Sequence, residues 1–145
     1  GADWIERLAE ASRSVILAAE GPAVIGHRDW SARNMRFRNG EVSIVYDWDS
    51  LAVEQEPVFV GKTAVAFPMT WYDDTERYPA PEAAAAFVRD YEAARGRRFD
   101  EAERAVVAAA AIDALSYMAR CEHARDPAAE APAGSVREAL RAYAH

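Results

Sequence analysis

The segment "MRFRNGEVSIVY", residues 35–46, constrains this chain more than any other. Asn39-Gly40 stands between two alternating runs, and both residue types accept the positive φ that a two-residue hairpin turn demands. With Arg38 and Glu41 flanking the turn, the register is predicted to pair Phe37 with Val42, Arg36 with Ser43 and Met35 with Ile44. Met35, Phe37, Val42 and Ile44 are then expected on one face, with Arg36, Arg38, Glu41 and Ser43 on the other. One further step sets Asn34 opposite Val45 and leaves Asp47 two residues beyond, about 6–7 Å along the strand. The hairpin thus returns Asp47 to the neighbourhood of Asn34, although thirteen positions separate them.

Asp29 lies in the loop that enters this hairpin, two residues after His27. One carboxylate and one amide oxygen, both hard ligands, are therefore expected at the open end of the hairpin beside a second carboxylate. Such a set suits Mg²⁺, which takes oxygen ligands and keeps several waters. It suits zinc poorly, because a single His is near and no Cys.

The rest reads as helix. Residues 3–20 open on Asp3 as an N-cap, carry Trp4, Ile5, Leu8, Val15 and Ile16 at helical spacing, and stop at Gly21-Pro22. "AVIG", 23–26, is a short apolar run between breakers, predicted as a buried strand or extended lead-in. Pro57 suits a first helical position, and that helix is expected to run to Pro68. "PMTWYDDTERYPA" is a loop. A helix from Pro81 to Gly96 follows, then a long one capped by Asp100 and apolar enough to be central, then a short one from about Ser135. Alanine makes up about a quarter of the chain, which favours helix and close helix packing.

At 145 residues, 51% hydrophobic and 28% charged, the chain is sized and composed for one soluble domain. It holds no apolar run near the roughly 18 residues that span a bilayer, and no secretory pattern. The Gly-Ala start points to a processed or engineered beginning. The single Cys121 has no partner for an internal disulfide, so a reducing cytoplasm is the expected location. A net charge of −7 argues against nucleic acid as a partner and favours small cations. The seven glycines are scattered, so no phosphate-cradling glycine loop is present, and Lys62 is the one lysine.

"His27-Arg28-Asp29-Trp-Ser-Ala-Arg-Asn34" resembles the catalytic loop of kinase-fold enzymes, H-x-D-x-x-x-x-N, and "Val45-Tyr46-Asp47-Trp48-Asp49" resembles their metal-binding segment. The aminoglycoside phosphotransferase and choline kinase-like family is the best match, since its corresponding segment often reads hydrophobic-Asp-Trp-Glu. The motifs cover residues 24–57. The resemblance implies a mainly α fold with a small β-hairpin, the C-terminal helical lobe of a protein-kinase-like enzyme. Its parts would be a catalytic loop 27–34, a hairpin 35–46, a metal segment 47–49 and a helical remainder 57–145.

It further implies that Asp29 orients an acceptor hydroxyl and accepts its proton, and that Asn34 and Asp47 hold Mg²⁺ on the phosphates of ATP. His27 would brace the loop, and Asp49 would help with a second metal or with positioning. The acceptor would be a small molecule bearing a hydroxyl, an aminoglycoside or choline-like amine among others. Glu54, Glu56, Asp73, Asp74 and Glu76, with Trp71 and Tyr72 as walls, are candidates for holding a cationic acceptor. Arg28 and Arg33 are candidates for phosphate contact, with a structural role the plainer reading. Histidines 123 and 145 read as ordinary helix-end cations.

The sequence departs from that family in two ways. The family's nucleotide-binding lobe is not in these residues, so the fragment is expected to be inactive alone. Val60 and Gly61 stand where the family often carries the Asp that buttresses the catalytic loop. "Ala80-Pro81-Glu82" copies a protein-kinase signature, but Asp-Trp-Asp lacks the glycine of Asp-Phe-Gly, and Pro at a helix start explains the triplet. Two other readings stay open: a metal-dependent phosphoesterase built from His27, Asp29, Asp47 and Asp49, and a non-catalytic binding module.

Overall fold

The computed structural model describes residues 1–69, 78–128, 131 and 133–144. These form helix α1 (Asp3–Ala18), strand β1 (Ala23–His27), β2 (Met35–Arg38), β3 (Glu41–Val45), β4 (Leu51–Gln55), and helices α2 (Glu56–Ala66), α3 (Pro81–Arg95), α4 (Glu101–Arg125) and α5 (Val136–Tyr143). Single 3₁₀ turns at Ala32–Asn34 and Trp48–Ser50 lead into β2 and β4. The protein is mainly helical, with two small antiparallel ribbons, β1–β4 and β2–β3.

Helix α4 is the axis of the core. Val106, Val107, Ala110, Ala111, Leu115 and Ala119 are all buried along it, on more than one side, because α1, α2 and α5 pack around it. Ile5, Val65, Leu115, Val136 and Leu140 are fully enclosed, and each large aliphatic side chain so buried contributes about 1.5–3 kcal/mol. Alanine lets the helices approach. At Gly61 α2 lies hard against α4: a Cβ there would run into the carbonyl oxygen of Val107 and lie 2.8 Å from the Ala110 Cβ. Val60 is buried against Phe99 and Val107 in the same seam.

The helix limits follow local capping chemistry. Asp100 accepts from the Glu103 N–H while Glu103 reaches back to the Asp100 N–H, a complete capping box. The Ser135 hydroxyl accepts from the Glu138 N–H, and Gly96 closes α3 at φ +74°. Asp3 differs from the expectation: Ala2 is the N-cap and Asp3 is already helical, an acid in the first turn rather than a cap.

The ribbons bring two further corrections. In β2–β3 the turn is as predicted, with Asn39 at φ 54° and Gly40 at φ 83°, and Arg38 pairs with Glu41 and Phe37 with Val42. Ser43 then bulges out, its hydroxyl donating to the Arg36 carbonyl at 3.0 Å. Arg36 consequently pairs with Ile44 and Met35 with Val45, one residue away from the expected register. The second correction concerns β1. It is a strand, but not a buried one: Ile25 is 75% exposed, as is its partner Val53 on β4 at 67%. Only the opposite face meets the helices, where Gly26 lies against the Phe59 ring of α2. The strand β4 itself was not anticipated.

Candidate functional site

The site is assembled where the two ribbons meet. Strand β1 ends at His27, and the next residue extends its ladder, Arg28 N–H donating to the Ser50 carbonyl at 2.9 Å. The chain then turns through Asp29–Ser31 into the 3₁₀ turn that carries Asn34. Because of the bulge at Ser43, the Asn34 carbonyl accepts from the Tyr46 N–H at 2.8 Å. Asp47 therefore follows directly on the residue bonded to Asn34, closer than the unbulged register allows.

Asn34 and Asp29 are joined side chain to loop. Asn34 Nδ2 donates to the Asp29 carbonyl at 2.9 Å and to Asp29 Oδ2 at 3.0 Å. Arg33 donates to the same Oδ2 at 2.9 Å, so Arg33 has a structural partner in Asp29. Asn34 Nδ2 is thus committed to Asp29, which leaves Oδ1 as the acceptor the side chain can offer a cation. Likewise Asp29 Oδ1 stays outside these bonds.

Asp47 adopts the left-handed conformation, φ 63° and ψ 43°, which is costly for any residue but glycine and most tolerable for Asn and Asp. Its Oδ2 accepts from the Ser50 hydroxyl at 2.8 Å. That hydroxyl is the chief cause holding the Asp47 carboxyl below its ordinary value of 3.8, with the Asp49 side chain the next cause; His27 and Arg33 add a weaker positive field. Asp49 thus adjoins Asp47.

His27 is 8% exposed and donates from Nε2 to the Tyr46 carbonyl at 2.9 Å. It ties the start of the 27–34 segment to the residue before Asp47. The Trp30 and Trp48 rings meet it edge-on, with centroids at 5.8 and 6.0 Å. Its Nδ1 is buried without a hydrogen-bond partner.

The bonds thus link Asp29 to Asn34, and tie both Asn34 and His27 to the backbone of Tyr46, the residue before Asp47. The oxygens of Asn34 and Asp47 are of the hard type that suits a cation keeping water ligands. Among the described residues no three His, Cys, Asp or Glu side chains gather into a metal site.

The candidate acceptor acids are differently placed. Glu54 is paired with Lys62 at 3.2 Å and with Arg28 at 3.4 Å. Glu56 accepts from the Tyr91 hydroxyl at 2.6 Å and pairs with Arg95 at 3.2 Å. Trp71, Tyr72, Asp73, Asp74, Glu76 and His145 lie outside the described residues, and His123 sits in the last turn of α4 as expected. Sequence reasoning missed Ser50, whose signal was its spacing: a hydroxyl three residues after an Asp in a turn. It also missed Tyr46, which acts through its backbone and leaves no side-chain signature.

No helix among the described residues is long and apolar enough to cross a membrane. Comparison with known proteins finds no matching family model, curated protein or solved structure.

Proposed function

We propose that these residues form the helical lobe of an ATP- and Mg²⁺-dependent phosphotransferase of the aminoglycoside phosphotransferase and choline kinase-like type. It would transfer the γ-phosphoryl group to a hydroxyl of a small molecule, with the remaining nucleotide contacts made by a lobe outside this sequence. The observation that carries the reading is the convergence just described: Asn34 bonded to Asp29 through its side chain and to Tyr46 through its carbonyl, with Asp47 next in line.

In this reading Asp29 Oδ1 orients the acceptor hydroxyl and receives its proton as the hydroxyl oxygen attacks phosphorus. Arg33 and Asn34 fix the other carboxylate oxygen, so the acid presents one oxygen in one direction. Asn34 Oδ1 and the Asp47 carboxylate would hold Mg²⁺, which supplies positive charge to the phosphate oxygens of the nucleotide. His27 acts as a positioning residue, bonding the two motif segments to each other.

Asp29→Asn in the complete gene product is the test, measured as ATP-dependent phosphorylation of a small-molecule hydroxyl. The expected loss is about 10²–10⁴ in rate, the usual worth of a general base. An unchanged rate overturns the assignment and favours the non-catalytic alternative. The phosphoesterase alternative predicts instead hydrolysis of a phosphate ester without nucleotide. It gains no support from a His27 whose Nε2 is committed to a backbone carbonyl.

A further inference from the structure

Beside the catalytic loop lies a cleft of about 320 Å³. Its walls include Trp30, Trp48, Phe59, Phe87 and Tyr91, with His27 and the aliphatic Val24, Ile25, Leu51 and Val60. Trp30 and Trp48 are the residues immediately after the candidate base Asp29 and the candidate metal ligand Asp47. The two segments that carry the proposed chemistry therefore also wall the cleft, with the His27 ring between them.

The charge inside the cleft is balanced. Glu56 lines it, but both of its oxygens are engaged, one by Tyr91 and the other by Arg95. The Arg95 guanidinium is in turn stacked over Phe99 at 4.4 Å, which fixes a positive charge beside that carboxylate. Glu54, the other described acid once weighed for a cation, is held by Lys62 and Arg28. The net charge of −7 belongs to the chain and not to this cleft. Aromatic walls attract cations when an uncompensated field assists them; here the acid in the lining, Glu56, is already paired with Arg95. What remains of the lining is aromatic and aliphatic surface, with Thr63 among it.

We propose that this cleft binds the acceptor and selects an uncharged, flat molecule bearing a hydroxyl over a polyamine or quaternary amine. The assignment as an acceptor site rests on the phosphotransferase reading; the choice of ligand chemistry rests on the walls and the charge balance. A volume near 320 Å³ with few polar groups falls in the range of small-molecule sites. Trp48 is 59% exposed, so a ligand reaches its ring without opening the core.

The test uses the 145-residue chain, with 2-naphthol as the neutral probe and spermine and choline as charged comparators. Binding is followed through the indole N–H signals of Trp30 and Trp48 by NMR near neutral pH. 2-Naphthol is expected to move both signals saturably, and Trp48→Ala to weaken its binding about tenfold through loss of one aromatic wall. Leu51→Asp, which puts a carboxylate at the exposed rim, gives a second variant that spares the helical core and is also expected to weaken it. Indole signals unmoved by 2-naphthol, or moved more strongly by spermine or choline, overturn the inference. The readout needs no nucleotide, so its failure is separable from that of the Asp29→Asn assay. Naphthol binding in a gene product that transfers no phosphoryl group keeps the ligand class and overturns the acceptor role.

Discussion

Asn34 is bonded twice to Asp29, at 2.9 Å to its carbonyl and at 3.0 Å to its carboxylate. One amide therefore fixes both the path of the 29–34 loop and the direction of the candidate base. Asn34→Ala removes both bonds and is expected to cost about 1–3 kcal/mol in urea unfolding, since a loop carbonyl loses its donor. Asn34→Asp keeps an acceptor oxygen but sets an anion against Asp29, and is expected to be the less stable of the two. A fully stable Asn34→Asp chain would show that the pair is incidental.

The backbone at Asp47 predicts a separation of stability from activity. Its φ of 63° is a position where glycine would be relaxed, yet an acid stands there. Asp47→Gly is expected to stay within about 1 kcal/mol of the parent in stability, relief of strain offsetting glycine's greater chain entropy and the lost Ser50 bond. Phosphoryl transfer by the complete protein is expected to fall by at least about 10²–10³. Retained transfer would remove Asp47 from the proposed metal-holding pair.

Ser50 gives that acid a pH signature. Its hydroxyl is the largest cause of the lowered Asp47 carboxyl, and Ser50→Ala is expected to move the Asp47 titration upward, followed by carboxyl NMR. A folded value depressed below 3.8 means the hydrogen bond contributes above that pH and is lost as pH falls through the folded value. The acid limb of the rate profile is expected to move upward with the same substitution. An unmoved titration would place the hydroxyl elsewhere in solution.

Local chemistry was legible in the sequence, and long-range pairing was not. The turn at Asn39-Gly40 and the caps at Asp100, Ser135 and Gly96 were readable because each depends on residues a few positions apart. The bulge at Ser43 depends on a hydroxyl meeting the Arg36 carbonyl across the ribbon, which alternation alone does not encode. Strand β4 exists because Leu51–Gln55 pairs with Ala23–His27, a partner more than twenty residues back. The exposure of Ile25 escaped for a similar reason: an apolar run announces that it wants cover, not whether these residues supply it. At the candidate site, the return of Asp47 towards Asn34 was readable from the hairpin, while the bonds that fix it run through the backbone of Tyr46 and the side chain of Ser50.

Arg97 grips Glu103 with two hydrogen bonds, at 2.6 and 2.8 Å, while Glu103 also completes the cap of α4. Arg97 is the chief reason the Glu103 carboxyl is lowered from 4.5 to about 2. The sign is that of a depressed acid: the contribution is whole above 4.5 and is lost as pH falls through about 2. NMR titration of Glu103 is expected to show that low midpoint, and Arg97→Ala to return it most of the way to the ordinary value. A midpoint near 4.5 in the parent chain would mean the pair is open in solution.

Gly61 and Gly40 make opposite demands, which a pair of alanine substitutions separates. At Gly40 the space is open and only the backbone is special, with φ +83°, so Gly40→Ala is expected to cost about 1 kcal/mol from left-handed strain alone. At Gly61 the backbone is ordinary helix, where alanine intrinsically gains about 1 kcal/mol. Yet its Cβ would enter the Val107 carbonyl and crowd the Ala110 methyl, neither of which is a flexible chain end. α2 and α4 would have to part along the seam that buries Val60, Val106 and Val107, and overpacking of this kind typically costs about 1–3 kcal/mol. Gly61→Ala is therefore expected to destabilise by more than Gly40→Ala in urea unfolding, despite the better helix former. The reverse order would show that α2 does not sit against α4 this closely, and the support that α2 gives β1 through Phe59 and Gly26 would have to be redrawn.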